Sequence, residues 1–265
     1  MFTKLTLFSA IAFVLLAAAC NTHSAYQRKI AHPANPVVAH RGAFKKNNLP
    51  ENSIASLREA IRLGCAGSEF DVRMTADDSL VINHDPNYHQ LPIEKHSYAE
   101  LLAFPLANGE KIPTLREYLL AGKINNKTTT LVVEIKPSET SKERGKRIAE
   151  KVLDLVGALH MRKKVIYISF DYDMLKHLHS VDATAHTQYL NGDRSPLQLK
   201  QDGINGADYH YSVFQKNPDW IQMAKDNGIL LNAWTVNDKA IMDWLLSAGF
   251  HYITTNEPEG LFEKV

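Results

Sequence analysis

Two histidines in this sequence follow short apolar runs. The run Val37–Ala39 leads directly to His40 and Arg41, and a second run that starts at Leu80 leads to His84. An imidazole gains and loses a proton near neutral pH, so each histidine is a candidate general acid or base. Because a short apolar run that ends in polar residues predicts a buried strand, we expect the chemistry to lie where strands end.

Two carboxylates are predicted to point at one place. Glu69 and Asp71 flank Phe70, and side chains two residues apart on a strand share one face of the sheet. Without a partner the two carboxylates would repel each other, and one of them would tend to be protonated. A bound cation removes this conflict, and oxygen ligands suit a hard ion such as Ca²⁺ or Mg²⁺.

A hairpin is predicted to bring the second histidine back to the carboxylates. Only Met74–Ser79 separate the strand around Asp71 from the apolar run before His84. Parallel strands need a longer connection than this, and the Asp and Ser residues of the segment favour a turn. With the centre of the turn between Asp77 and Asp78, Asp71 is expected to lie opposite His84.

Several short segments of the chain carry a resemblance to one known family. They are His40-Arg41-Gly42, Pro50-Glu51-Asn52-Ser53, Glu69-Phe70-Asp71-Val72, Thr75-Ala76-Asp77, Val81-Ile82-Asn83-His84-Asp85, Glu134-Ile135-Lys136, Ser169-Phe170-Asp171, Trp234-Thr235-Val236-Asn237 and Ile253-Thr254-Thr255-Asn256-Glu257-Pro258. In order and spacing these segments resemble the signature of the glycerophosphodiester phosphodiesterase family, from about residue 37 to residue 260. The resemblance implies hydrolysis of glycerophosphodiesters to sn-glycerol 3-phosphate and an alcohol.

From Pro113 onward, predicted strands and helices alternate regularly. Counting from Val37, and leaving out the returning strand of the hairpin, gives eight strands. Eight strands with intervening helices favour a closed parallel barrel over an open doubly wound sheet. The predicted fold class is therefore α/β, a (β/α)8 TIM barrel with a short hairpin and insertion after the second barrel strand, and the family resemblance implies the same fold.

The candidate metal ligands end predicted barrel strands, which is where barrels of this class place their active sites. Glu69 and Asp71 belong to the second strand, and Glu134 ends the third. We expect these three carboxylates to bind one divalent cation, Ca²⁺ or Mg²⁺, which would also grip an oxygen of a phosphodiester.

Basic and aromatic residues complete the predicted site. Arg41 and Lys136 are expected to neutralise phosphate charge, although Lys136 shares a strand face with Glu134 and has the alternative role of its counter-ion. Trp234 ends the seventh strand and suits either the glycerol or head-group side of a substrate or plain barrel packing. Asn52 is expected to cap the first helix, although it also falls in a family segment.

The family resemblance implies that His40 and His84 are both catalytic. It also implies that the glycerol hydroxyl next to the phosphate acts as internal nucleophile, through a cyclic phosphate. The sequence interpretation favours His40 as acid and His84 as base, acting on small deacylated phospholipids such as glycerophosphoethanolamine. The alternatives are a phosphodiesterase for lysophospholipids or another phosphodiester, and an inactive lipid-anchored binding protein, against which the intact acid–base pair argues.

Composition limits the classes of partner. The chain has 30 Lys and Arg residues against 29 Asp and Glu residues, and such a balance gives no support for binding nucleic acid or an anionic membrane surface. No protein partner is implied. The length of 265 residues suits a single barrel domain, since such barrels run to about 250 residues.

Residues 1–19 have the features of a signal peptide for export. Lys4 is followed by the apolar stretch Leu5–Ala19, which is shorter than a membrane-spanning helix requires. The segment Ala17–Cys20 resembles a bacterial lipoprotein cleavage box. Cys20 is therefore expected to be the site of lipidation.

The lipid would make the mature protein membrane-bound. Residues 20–35 are then the lipidated cysteine and a polar tether, and residues 36–265 are the barrel. We expect the exported protein to be held at the bacterial cell envelope by the lipid on Cys20 rather than by a helix. Asn21 follows the cysteine where an Asp would suggest retention in the inner membrane, so the outer membrane is preferred.

Overall fold

Eight parallel strands form a closed barrel in residues 33–265, the part of the chain that the computed structural model describes. The first barrel strand pairs with both the last and the second, Val37 with Ile253 and Val38 with Gly67, so the sheet has no gap. The predicted TIM barrel is therefore confirmed. The first elements in chain order are β1 (Val37–Ala39), α1 (Ile54–Leu63), β2 (Gly67–Met74), β3 (Leu80–Ile82), β4 (Asn87–Tyr88), β5 (Leu91–Pro92), α2 (Tyr98–Leu101) and α3 (Leu115–Lys123).

The remaining elements repeat the alternation of strand and helix. The alternation of strands and helices that is predicted from Pro113 onward is present. The elements are β6 (Thr130–Ile135), α4 (Lys142–Ala158), β7 (Val165–Ser169), α5 (Tyr172–Val181), β8 (Thr187–Tyr189), α6 (Pro196–Gln201), β9 (Gly206–His210), α7 (Tyr211–Lys216), α8 (Asp219–Asn227), β10 (Leu230–Trp234), α9 (Lys239–Ser247), β11 (Tyr252–Thr255) and α10 (Pro258–Phe262).

The barrel strands divide their side chains between an apolar outer layer and a more polar interior. On β2, Phe70 packs outward against Tyr118 of α3 with ring centroids 4.3 Å apart, whereas Glu69 and Asp71 occupy the alternate positions and point inward. The other strands also bury polar residues, Asp208 and Asn232 among them. The helix-covered surface thus supplies the hydrophobic core, and the interior is left for polar chemistry.

The predicted hairpin forms, but its predicted register is wrong by one residue. Strands β2 and β3 pair antiparallel with Arg73 opposite Val81, and the amide of Asn83, not of His84, donates to the carbonyl of Asp71. The reason is the loop length: Thr75 and Ser79 pair with each other and enclose three residues rather than an even number. Three-residue hairpin loops place their last residue in the left-handed region, and Asp78 has φ 63°.

The predicted signal peptide, Cys20 and the tether up to His32 lie outside the described residues. Asn35, which the sequence places at the end of the tether, donates to the carbonyl of Gly64 and accepts from the amides of Val37 and Ala66. Among residues 33–265, no helix is long and apolar enough to cross a membrane.

A matched pair of glycine substitutions tests the packing of the turn after β1. Gly42 and Gly64 both have positive φ, 79° and 76°, but a Cβ on Gly42 would lie 2.6 Å from the backbone carbon of Ser56, whereas one on Gly64 meets nothing within 4 Å. Gly64→Ala should lower the free energy of unfolding by about 1 kcal/mol through left-handed strain alone. Gly42→Ala should lower it by about 3 kcal/mol, because overpacking is added. Chemical denaturation measures both, and equal losses would contradict this packing.

Candidate active site

The three predicted metal ligands lie together inside one end of the barrel. Glu69 and Asp71 come from β2 and Glu134 from β6, and the two strands are neighbours with Asp71 directly beside Glu134. One carboxylate oxygen from each residue lies within 4.8 Å of the others. All three side chains are buried, with Asp71 only 1% exposed. The alternation of side chains along a strand thus brings the carboxylates to one point, as predicted.

Burial and mutual repulsion disfavour negative charge on two of these residues. Burial raises the pKa of Glu69 well above its usual range, and the neighbouring carboxylates of Asp71 and Glu134 add to the effect. Burial, with Asp71, also raises the pKa of Glu134 to about 7. Burial acts in the same direction on Asp71, but Lys136, His84 and Asn52 hold its pKa below the ordinary value. Full ionisation of the cluster therefore needs further positive charge.

Lys136 and Arg41 supply part of that positive charge. The Nζ of Lys136 lies 2.8 Å from Oδ1 of Asp71 and 2.6 Å from Oε1 of Glu134, so the predicted counter-ion contact is present. The Nε of Arg41 lies 3.7 Å from Oδ2 of Asp71, and its Nη1 donates to Glu51 at 2.8 Å. Both cations also line the cavity described below.

The donor set fits a hard divalent cation. Oε2 of Glu69 accepts a hydrogen bond of 2.9 Å from the amide of Arg41. Its Oε1 is buried and has no hydrogen-bond partner within residues 33–265. Buried oxygens without donors are unfavourable unless they bind something else, and three carboxylates match the ligands that Ca²⁺ and Mg²⁺ prefer.

Asn52 holds Asp71 in place. Its Nδ2 donates to Oδ2 of Asp71 at 2.8 Å, and its Oδ1 accepts from the amide of Asp71 at 3.2 Å. The prediction that Asn52 caps α1 is wrong: Ser53 is the N-cap, and its side chain accepts from the amide of Ser56. Asn52 has φ 58°, a left-handed conformation that Asn tolerates better than most residues, and this turns its amide towards the carboxylate.

His40 is held by a neutral partner. Its Nδ1 lies 2.7 Å from Oδ1 of Asn256, and its Nε2 lies 3.8 Å from Oε2 of Glu69. Because an amide oxygen only accepts, Nδ1 carries the proton and Nε2 is free to accept one. Burial, helped by the charge of Arg41, lowers the pKa of His40 to about 4. The ring is therefore neutral at ordinary pH.

His84 is held by a charged partner. Its Nδ1 lies 2.7 Å from Oδ1 of Asp85, and about a third of its side chain is exposed. Its backbone carbonyl accepts two hydrogen bonds from Arg73, from Nε at 2.9 Å and from Nη2 at 2.8 Å. The two histidines thus differ both in exposure and in the group that orients the ring.

A cavity of about 110 Å³ joins the predicted site residues. Its polar lining includes both histidines. Its apolar lining includes Trp234, whose Nε1 donates to the carbonyl of Asp208 at 2.9 Å. Phe170 and His210 contact the Trp234 ring edge to face, at centroid distances of 5.6 and 5.4 Å. Asp71 lies behind the wall, in contact with Lys136. The lining residues are His40, Arg41, Glu69, His84, Glu134, Lys136, Ile168, Phe170, Leu190, Asp208, Trp234, Thr235 and Thr254.

Sequence reasoning missed several residues of the site. Asn256 and Phe170 fall in the segments that resemble the family, and this was the signal that could have found them. Arg73 and Asp208 occupy inward-facing positions of barrel strands, and both are buried; a charged residue at such a position is the signal there. Tyr209, the next residue along β9 after Asp208, is not part of the site. It packs outward against Phe214 and Trp220 and donates to the carbonyl of Arg194.

Solved structures of other proteins share this fold. A solved structure of a glycerophosphodiester phosphodiesterase from Parabacteroides distasonis is similar over 87% of this chain and 96% of that one, with a TM-score of 0.84 and 39% identity. A phosphodiesterase from Oleispira antarctica, solved in complex with the product sn-glycerol-3-phosphate, is similar over 86% of this chain and 95% of that one, with a TM-score of 0.72 and 25% identity.

Sequence comparison agrees with the structural one. A glycerophosphodiester phosphodiesterase from Caldanaerobacter subterraneus subsp. tengcongensis is 28% identical over 247 residues, which cover 86% of this chain and 97% of that protein. The family model described as the glycerophosphoryl diester phosphodiesterase family matches residues 40–260, which include every cavity-lining residue. The chain belongs to the glycerophosphoryl diester phosphodiesterase family.

Proposed function

We propose that this protein hydrolyses glycerophosphodiesters to sn-glycerol 3-phosphate and an alcohol, with the help of one divalent cation. The observation that carries the proposal is the cavity itself, where two differently partnered histidines lie with Glu69 and Glu134 of the buried carboxylate cluster. The Oleispira antarctica relative, solved with sn-glycerol-3-phosphate, supports the same product class.

The charged residues form two sets, one that would hold the cation and one that would bind the phosphate. Glu69, Asp71 and Glu134 would hold Ca²⁺ or Mg²⁺, which when bound supplies a Lewis acid for a phosphodiester oxygen. Arg41 and Lys136 line the cavity and would bind the remaining phosphate charge, Arg41 through its planar fork. The contacts of Lys136 with Asp71 and Glu134 keep its charge at the site, because both carboxylates raise its pKa against the opposing effect of burial.

The partners of the two rings suggest which histidine is acid and which is base. His40 is neutral, with Nδ1 occupied by Asn256, so its Nε2 is suited to take a proton. His84 instead has a charged partner at Nδ1, the carboxylate of Asp85, and is the more exposed of the two rings. We therefore assign His40 as base and His84 as acid, the reverse of the assignment that the sequence favours.

The reaction then follows in two steps. His40 takes the proton of the glycerol hydroxyl next to the phosphate, and that oxygen forms a new bond to phosphorus. The bond from phosphorus to the leaving alcohol breaks, and the departing oxygen takes a proton from His84. Water then opens the cyclic phosphate, with His84 taking the proton of the water and His40 returning its proton to the glycerol oxygen. Both histidines end in their starting protonation states.

The size of the cavity favours a deacylated substrate. A volume of about 110 Å³ suits a small polar group, and the apolar wall around Trp234 and Phe170 would contact the glycerol or head group. An acyl chain would have to extend beyond this wall. Lysophospholipids and other phosphodiesters stay the alternative substrates.

The proposed activity should depend on a divalent cation and on His84. Purified protein should release glycerol 3-phosphate from glycerophosphoethanolamine with Ca²⁺ or Mg²⁺ and should lose this activity in chelator, because the cluster supplies ligands for a cation. His84→Ala should lower kcat by about 100-fold or more, as expected when a general acid is lost. An enzyme-coupled assay for glycerol 3-phosphate measures both effects.

Two controls separate the rival functions. Choline release from glycerophosphocholine should exceed that from lysophosphatidylcholine; the opposite order would assign the enzyme to lysophospholipids. Tight calorimetric binding of glycerophosphocholine without turnover would indicate an inactive binding protein. No release from any of these substrates with either ion would contradict the proposal.

Cation binding should depend on pH, because the ligands must lose their protons. A carboxyl whose pKa is raised on folding stabilises the fold below its unfolded pKa and loses that contribution as the pH rises through the folded value, which for Glu134 is about 7. Asp71, with its lowered pKa, is charged throughout this range. Cation binding needs ionised ligands, so Ca²⁺ or Mg²⁺ should raise Tm more at about pH 8 than at about pH 5.

Thermal unfolding with chelator and with each ion measures this difference. Glu134→Gln serves as the matched control, because the amide keeps the shape of the side chain but removes the charge, and the ion-induced rise in Tm at the higher pH should largely disappear. An equal rise at both pH values, or no rise at all, would contradict a cation site at these carboxylates.

We further propose that the protein is a lipoprotein of the bacterial cell envelope, anchored through Cys20, with a preference for the outer membrane. The support is the sequence Ala17–Cys20 after an apolar stretch. In a bacterial host, the full chain should incorporate labelled fatty acid and sediment with membranes, whereas Cys20→Ala should incorporate none. Label retained in Cys20→Ala would place the modification elsewhere, and no label in either chain would leave only cleavage and export.

A further inference from the structure

A buried arginine clamps the backbone of His84. Arg73 lies on β2 two residues after Asp71 and is 9% exposed. Its Nε and Nη2 both donate to the carbonyl oxygen of His84, at 2.9 and 2.8 Å. Two donors of one rigid, planar guanidinium on one oxygen fix both the distance and the direction of that carbonyl.

The clamp is not explained by stability alone. Burial lowers the pKa of Arg73, and the charges of Asp71, Glu139 and Glu134 oppose that effect. A guanidinium removed from water is unfavourable unless it is well paired, and here its hydrogen-bond acceptor is a neutral carbonyl. Because the Arg73 guanidinium is nevertheless buried against the His84 carbonyl, we expect the position of that carbonyl to matter for function.

His84 needs an external support because it lies just beyond the sheet. Strand β3 ends at Ile82, and the last ladder bond in this direction runs from the amide of Asn83 to the carbonyl of Asp71. The ring of His84 contacts Asp85, which is largely exposed. Arg73 therefore connects His84 to the rigid barrel wall.

We propose that Arg73 is a positioning residue, which sets the place of the His84 ring in the cavity through the His84 carbonyl. The inference rests on the proposed role of His84 in the reaction. Arg73 itself is not among the residues that line the cavity, so it acts through His84 and not on the substrate.

Arg144 provides a matched control. Its Nη2 donates to the carbonyls of Met74 and Thr75, at 3.3 and 2.7 Å, at the opposite end of the same hairpin. Like Arg73, it is an arginine that binds hairpin carbonyls and is mostly shielded from solvent. Arg144→Met should therefore reproduce a general loosening of the hairpin without releasing His84.

The experiment compares Arg73→Met, Arg73→Lys, Arg144→Met and His84→Ala on two substrates. One is glycerophosphoethanolamine, and the other is glycerophospho-p-nitrophenol, whose nitrophenolate departs with little help from an acid. Arg73→Met should lower kcat on the first substrate by about 100-fold, the effect of a displacement of about 1 Å, with little change in KM. The loss should shrink on the nitrophenyl substrate by the same factor as for His84→Ala. Arg73→Lys keeps the positive charge but lacks the planar guanidinium with its two donors. Its kcat should lie between that of Arg73→Met and that of the unaltered protein.

Arg144→Met is expected to lower Tm while kcat on both substrates stays near that of the unaltered protein. Equal kcat losses in Arg73→Met and Arg144→Met, or a loss in Arg73→Met that is the same on both substrates while that of His84→Ala shrinks, would overturn the inference. In the double variant with His84→Ala, Arg73→Met should cause no further loss, whereas an additive loss would also overturn it.

A second readout separates this inference from the proposed function. If the unaltered protein were inactive, or if His84→Ala kept full activity, the proposed function or the role of His84 would fail. The ring of His84 can still be located by NMR from its side-chain signals in Arg73→Met and Arg144→Met. Displacement of the ring in the first variant alone supports the clamp independently of turnover, and no displacement in either overturns it.

Discussion

The rest of the site depends on the repulsion among three carboxylates that the barrel buries side by side. Glu69, Asp71 and Glu134 each lose most of their hydration, and burial would protonate all of them in the absence of partners. Lys136 and Asn52 resolve the conflict for Asp71 alone. The cluster is therefore left with one carboxylate held charged and two with raised pKa values. Such a cluster could hold a divalent cation, whose charge would favour ionisation of the two carboxyls with raised pKa values.

Closure of the barrel is what assembles this site from distant parts of the chain. The amide of His40 donates to the carbonyl of Thr255, and its ring contacts Asn256. These contacts exist only when the first strand meets the last. The position of His40 relative to Glu69 is set in turn by the amide of Arg41, which donates to that carboxylate. Folding and the formation of the acid–base site are thus one event on this side of the barrel.

Much of the fold could be predicted from the sequence, because the alternation of side chains on strands and the alternation of strands and helices are local patterns. The same pattern placed Glu69 and Asp71 on one face and brought Glu134 beside them. The prediction of the hairpin register failed, because it assumed an even number of residues in the loop between β2 and β3. The turn from Thr75 to Ser79 encloses three residues, since Asp78 adopts the left-handed conformation, and no hydrophobic pattern reports a single backbone angle of this kind. The choice between Asn52 and Ser53 as cap failed for a related reason, since both residue types cap helices equally well.

The roles of the histidines show where sequence adjacency misleads. Asp85 is visible beside His84 in the sequence, but Asn256 lies 216 residues from His40 and reaches it only through the closed barrel. Without that contact, the two rings look interchangeable, and the preference for His40 as acid had no physical basis in partners. The structure gives each ring a distinct environment: a neutral amide and a buried setting for His40, and a carboxylate and partial exposure for His84. The difference between the two rings therefore follows from what holds each of them rather than from the imidazole itself.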